Sequence, residues 1–161
     1  MITVQPGTEL LAQGIRFEAV STNDLPAWLE TKKECYRAYV DEYYGGWIDE
    51  MQTQLNTASF NKSLDLTCFR KIIHNNATVG FFGYRILPDR IADVTIHMCE
   101  SSRNRGIGSC FLHYLTNLSR KSEKPIYLKV FKTNPARHLY VRFGFHIYAE
   151  TESHFQMIFE P

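Results

Sequence analysis

Arg103-Asn104-Arg105-Gly106-Ile107-Gly108-Ser109 separates a run that reads as a β-strand, Ile91 to Met98, from one that reads as an amphipathic helix, Ile107 to Leu118. Two glycines and two arginines at a strand-to-helix turn leave backbone N–H groups unhindered and aimed at the start of the helix. The first helical N–H groups lack intrahelical partners, and the helix dipole adds partial positive charge, so such a turn binds anions. The glycines let a phosphate approach the backbone closely, and Arg103 and Arg105 add donors and charge. A phosphate-bearing ligand is the first expectation.

Outward from the turn, the strand before it carries apolar residues at even positions (Ala92, Val94, Ile96, Met98) and polar ones at Asp93, Thr95 and His97. That alternation predicts one core face and one polar face. After the turn, Ile107, Cys110, Phe111, Tyr114, Leu115 and Leu118 repeat at spacings of three and four, an apolar stripe that packs on a sheet. Ile126 to Phe131 follows as a strand, so strand, helix and strand form a crossover with the two strands parallel. Asn134 then caps a short helix, Pro135 takes its first position, and Gly144 closes it. Residues 146–149 and 154–159 finish the sheet as an antiparallel pair.

Upstream, Ile15 to Val20 alternates as a first strand, and Asn23-Asp24 with Pro26 opens a helix that runs to about Tyr44. Gly45-Gly46 breaks it, and a second helical stretch is expected from Ile48 to about Leu55. Strands are expected from Leu64 to His74 and from Thr78 to Leu87, joined by Asn75-Asn76. Residues 1–13 show no period and are expected to form a frayed lead-in. The whole is predicted as one α+β domain over residues 1–161, three-layered as α/β/α. Its mixed central sheet has roughly six to seven strands, flanked by about four helices.

At 161 residues the chain can bury a core without disulfides or metals, and 44% apolar residues with 14% aromatics are globular values. A net charge of +1 leaves no cationic excess to release counterions from a nucleic acid. No apolar run reaches the roughly 18 residues of a membrane helix, and the N-terminus lacks the pattern of a secretory signal. Cys35, Cys68, Cys99 and Cys110 show no paired spacing, which predicts reduced thiols in a cytoplasmic protein. His97 and Cys99 are two residues apart, but nothing nearby completes a zinc ligand set, so no metal is expected.

Spacing then narrows the phosphate ligand. Gly108 is followed by Ser109 rather than by lysine, which rules out a Walker loop. Phe111 stands where the dinucleotide fingerprint needs its third glycine. What remains is Arg103-x-x-Gly106-x-Gly108 between a strand and a helix, with Asn134-x-Ala136-x-x-Leu139-Tyr140-x-x-x-Gly144-Phe145 downstream. Together these resemble the two signatures of the GNAT superfamily of acetyl-coenzyme A-dependent N-acetyltransferases, covering residues 91–159. The Tyr43 to Gln54 stretch also resembles the acceptor-side region of some bacterial members.

The resemblance implies a role for each matching part. Backbone N–H groups of Arg103, Asn104, Arg105, Gly106, Ile107, Gly108 and Ser109 would hold the pyrophosphate of acetyl-coenzyme A. Backbone groups near Ile96 and Met98 would pair with the pantetheine arm, inserted where strand 91–98 splays from strand 126–131. Asn134 would contact the same arm, and Tyr140 would lie beside the thioester sulfur, ready to protonate or stabilise the departing thiolate. Tyr43, Tyr44 and Trp47 form either an aromatic staple between two helices or one wall of the acceptor pocket. Transfer to an amine needs a base, often through water, and Asp93, His97 and Glu100 are candidates for it. Asp93 and His97 are expected to share the polar strand face that looks into the cleft. The expected partner is a small-molecule amine, without nucleic acid or membrane, and the resemblance allows a homodimer. A peptide or protein N-terminal acetyltransferase, or a non-catalytic acyl-coenzyme A-binding module, stands as the alternative.

Overall fold

The computed structural model describes residues 3–161. A short helix, α1 (Thr8–Ala12), precedes strand β1 (Ile15–Ala19). Two helices follow, α2 (Leu25–Tyr43) and α3 (Asp49–Ser63), then three antiparallel strands, β2 (Cys68–His74), β3 (Ala77–Ile86) and β4 (Ile91–Met98). The crossover helix α4 (Ile107–Ser122) leads to β5 (Ile126–Phe131). Helix α5 (Ala136–Arg142) and strands β6 (His146–Glu150) and β7 (His154–Phe159) complete the chain. All seven strands form one mixed sheet in the order β1-β2-β3-β4-β5-β7-β6. Among the described residues, no helix is long and apolar enough to cross a membrane.

Each sheet face is covered. On one side, Leu10 of α1, the buried stripe of α4 and Tyr140 of α5 close the larger core over Ile72, Phe82, Ile91, Ile126 and Met157. On the other, Trp28 of α2 and Phe60 of α3 pack on Phe81 of β3 in a smaller aromatic core. The two layers of helices with the sheet between them are the expected α+β architecture.

Two helical expectations change. Residues 8–12 of the lead-in are helical, with Leu10 inserted in the core. Helix α3 runs eight residues beyond Leu55, to Ser63, so β2 starts at Cys68 rather than Leu64. Asp49 and Glu50 in its first turn and Lys62 in its last complement the helix dipole. Phe60 is its one buried residue, so no apolar stripe marks its second half in the sequence.

The feature that positions the site is β4. It pairs with β3 along its length, but with β5 only at Ile91↔Ile126, in parallel. Beyond that bridge the two central strands part, leaving the β5-facing edge of Thr95 to Met98 open. The strict alternation expected for β4 also fails. From Gly83↔Thr95 to Arg85↔Ala92, two steps on β3 oppose three on β4, a bulge with Asp93 in left-handed conformation at φ 51°. Ile91 and Val94, three residues apart, therefore belong to the same core.

Candidate active site

The glycine turn is a backbone nest. Asn104 (φ 58°) and Gly106 (φ 92°) both adopt left-handed conformations, which turn successive N–H groups toward one concavity. The first helical bond of α4 runs from Cys110 N–H to Gly106 O at 3.0 Å, and no side chain caps the helix. Among the described residues, the N–H groups of Ile107, Gly108 and Ser109 are thus left without acceptors at the positive end of the dipole. Gly108 serves a different need from Gly106. A Cβ there would sit 2.9 Å from Leu139 Cδ2, so its absence lets α5 approach α4.

The two arginines diverge. Arg103 lines the cleft and donates from Nε to Met98 O at 2.9 Å. Arg105 folds back toward Ser101 O (3.4 Å) and Gln13 (3.5 Å) and is not among the cleft-lining residues. Cys35 Sγ also donates to Met98 O, at 3.2 Å. Cys99 N–H bonds to Val79 O of β3 at 2.7 Å. Since N–H and C=O groups alternate sides along a strand, Ile96 and Met98 direct theirs toward the gap left by β5.

A cleft of about 550 Å³ runs from this turn into the gap, lined by Arg103, Asn104 and residues 106–109 of the turn, Ile96, Met98, Asn134 and α2 residues Cys35, Tyr36 and Tyr39. A second cavity of about 320 Å³ opens from the α2–α3 side, lined among others by Lys32, Trp47, Gln52, Asn56, Lys129 and His154. Tyr36, Ile96, Asn134 and Tyr140 line both. Asn134 holds its place by an Asx turn, Oδ1 accepting from Ala136 N–H at 2.9 Å. Tyr140 is 7% exposed, its hydroxyl bonds no other described residue, and burial pushes its pKa up to about 12. Burial raises the Tyr36 hydroxyl as well, with Tyr140 beside it as the next cause.

The three base candidates do not converge. Asp93, on the bulge, accepts from Arg85 Nε at 2.9 Å and is absent from both cavities. The bulge is what takes it off the face it was expected to share with His97. Glu100 is exposed, lies outside both cavities, and takes part through its N–H, which donates to Glu34 at 3.2 Å. His97 does line the first cleft, yet it is 5% exposed, packed among Trp28, Tyr36 and Phe81. Its Nε2 meets Thr31 Oγ1 at 3.0 Å, and its Nδ1 is sealed from solvent without a partner among the described residues. Desolvation, then the Lys32 and Arg103 charges, hold its pKa well below the usual 6.5.

The aromatics after α2 divide. Tyr43 stacks on Phe131 at 5.7 Å, and Tyr44 bonds Ser153 Oγ at 3.0 Å, which makes both a staple from the end of α2 to β5 and to the turn before β7. Trp47 alone of the three lines a cavity, steadied by Nε1 donating to Asp49 at 2.9 Å. Sequence reasoning missed Lys32, Cys35 and the dual-cavity position of Tyr36. One signal for them is present: Trp28, Lys32, Tyr36 and Val40 fall at spacings of four, placing a lysine inside an apolar helix stripe.

A search of curated protein sequences returns no match. Among solved structures, the chain is similar to the paiA N-acetyltransferase of Thermoplasma acidophilum in complex with coenzyme A. Identity is 16%, with 91% of this chain and 99% of that one covered at a TM-score of 0.70. It is similar to the ribosomal-protein-S18-alanine N-acetyltransferase of Escherichia coli (18% identity, 91% and 93% covered, TM-score 0.62). It also resembles Arabidopsis thaliana Naa50 with the bisubstrate analogue CoA-Ac-MVNAL (18% identity, 92% and 99% covered, TM-score 0.61). At these identities the likeness is one of fold. The acetyltransferase (GNAT) family profile matches residues 32–145, well over half of the chain and spanning α2 to α5, and the protein belongs to this family of acetyl-coenzyme A-dependent acetyltransferases.

Proposed function

We propose that the protein acetylates the primary amine of a small molecule, by direct attack while donor and acceptor are bound together. The observation that carries this reading is the meeting of two cavities at Tyr36, Ile96, Asn134 and Tyr140, in the gap between β4 and β5. Acetyl-coenzyme A supplies an activated thioester. The open N–H groups of Ile107, Gly108 and Ser109 suit its pyrophosphate, and the edge at Ile96 with the N–H of Met98, whose carbonyl is held by Arg103 and Cys35, suits its amide-bearing arm. The acceptor cavity, about 320 Å³, is at the scale of small-ligand pockets.

Tyr140 remains protonated at neutral pH because burial lifts its pKa to about 12. A thiol's ordinary pKa of about 8.5 makes full proton transfer from such a phenol uphill, so Tyr140 stabilises the leaving thiolate by hydrogen bond. Neither nitrogen of His97 is open, Asp93 is ion-paired and Glu100 lies outside, so the acceptor amine gives its proton to water.

Calorimetric titration with acetyl-coenzyme A, followed by thiol release over a panel of amines, tests the reading. Tyr140→Phe is expected to lower kcat by about 10- to 100-fold with little change in acetyl-coenzyme A affinity. Undiminished kcat would remove Tyr140 from the mechanism. Turnover of peptide N-termini but of no small amine would contradict the small-molecule acceptor. Binding without any turnover would make the protein an acyl-coenzyme A-binding module.

A further inference from the structure

The acceptor cavity has a charge character set largely by one face of α2. In the stripe Trp28, Lys32, Tyr36, Val40, the first and last members are buried at 1% and 7% exposed. Lys32 lies between them with Nζ 4.8 Å from the Trp28 ring centre and 4.4 Å from that of Tyr36. Lys129 of β5, an exposed residue, lines the same cavity from the solvent side, with the neutral amides of Gln52 and Asn56 from α3. No Asp or Glu lines it.

Other lysines of the chain do find carboxylates. Lys33 meets Asp49 and Lys71 meets Asp24, each at 2.8 Å, and Lys132 meets Glu150 at 3.3 Å. Lys32 and Lys129 form no ion pair among the described residues. Aromatic faces soften the isolation of Lys32 but do not neutralise it. Desolvation lowers its pKa from 10.5 to about 8, which leaves it mainly cationic at neutral pH. A half-buried, partly desolvated ammonium without a counter-charge carries a cost, and a ligand that brings the counter-charge recovers part of it on binding. A second ammonium entering the same cavity would meet two like charges and no carboxylate.

Resting on the acetyltransferase reading above, we infer that the acceptor is an amine that also carries an anionic group, carboxylate or phosphate, whose charge Lys32 and Lys129 bind. The amine reacts beside Tyr140 while its anionic group lies toward the lysines. Polyamines, with a further positive charge, are disfavoured.

Matched pairs test this: phenylalanine against phenethylamine for a carboxylate, phosphoethanolamine against ethanolamine for a phosphate, and spermidine as the cationic extreme. In thiol-release assays, at least one anionic member should exceed its neutral partner by about tenfold or more in kcat/KM, with spermidine poorest. The pair that shows the gap identifies the anion. Lys32→Met should erase the gap chiefly through KM, and Lys129→Gln should narrow it. Retained acetyl-coenzyme A affinity shows that each variant is folded. Calorimetry on the coenzyme A-loaded protein reads the same preference without turnover. Equal or better use and binding of the neutral and cationic amines would overturn the inference, as would an unchanged gap in Lys32→Met. A failure of acetyl-coenzyme A to bind would instead sink the acetyltransferase reading beneath it.

Discussion

His97 shows how a residue that looks catalytic in sequence becomes structural in the fold. Thr31 Oγ1 lies 2.9 Å from Ala27 O, so its proton is committed to the backbone and it accepts from His97 Nε2–H. That network assigns the neutral tautomer with its lone pair on the buried Nδ1. The imidazole resists protonation, since its folded pKa lies well below 6.5 through desolvation and the neighbouring cations. The unfolded chain binds a proton at His97 below about pH 6.5 while the folded one does not, so native stability falls as pH drops through that range. Urea denaturation should show wild type losing about 1 to 2 kcal/mol more than His97→Gln between pH 7 and pH 5. Equal losses would mean that His97 protonates freely in the fold. What made it look like a base was its own strand; what neutralises it is α2, some sixty-six residues earlier.

At the level of elements, the parting of β4 from β5 makes the site, and β3 holds β4 in place. Gly80 faces Met98 across that ladder, and a Cβ there would lie 2.7 Å from Met98 Cα and closer still to His97 O. These are backbone atoms that cannot yield without moving β4. Gly80→Ala should therefore destabilise the protein by about 2 kcal/mol or more and weaken acetyl-coenzyme A binding together. Wild-type stability by urea denaturation would contradict this account of β4. The local elements were legible in sequence: the nest at 103–109, the stripe of α4 and the Asn134 turn each depend on residues within a few positions. Their pairing into a parallel crossover followed from chain length and handedness. The bulge at Asp93 was not legible, because its apolar and polar residues still alternate through the extra position. Nor was the divergence of Arg103 from Arg105, whose partners, Met98 O and Gln13, come from separate parts of the fold.

For the molecule as a whole, the sheet gathers two kinds of recognition at one opening. The crossover half, β4 to α5, provides backbone N–H groups and needs few particular side chains. Helices α2 and α3 with β4, β5 and β7 provide side chains of the second cavity, the proposed acceptor site. Tyr140, on the short helix α5, lines both cavities. The proposed transfer has the two ligands occupy the protein at once, with no acetylated enzyme between them. Initial rates of thiol release, measured across a grid of acetyl-coenzyme A and amine concentrations, test that most directly. Direct transfer predicts double-reciprocal lines that intersect; parallel lines, with an acetyl group retained on the protein after the first thiol leaves, would contradict it.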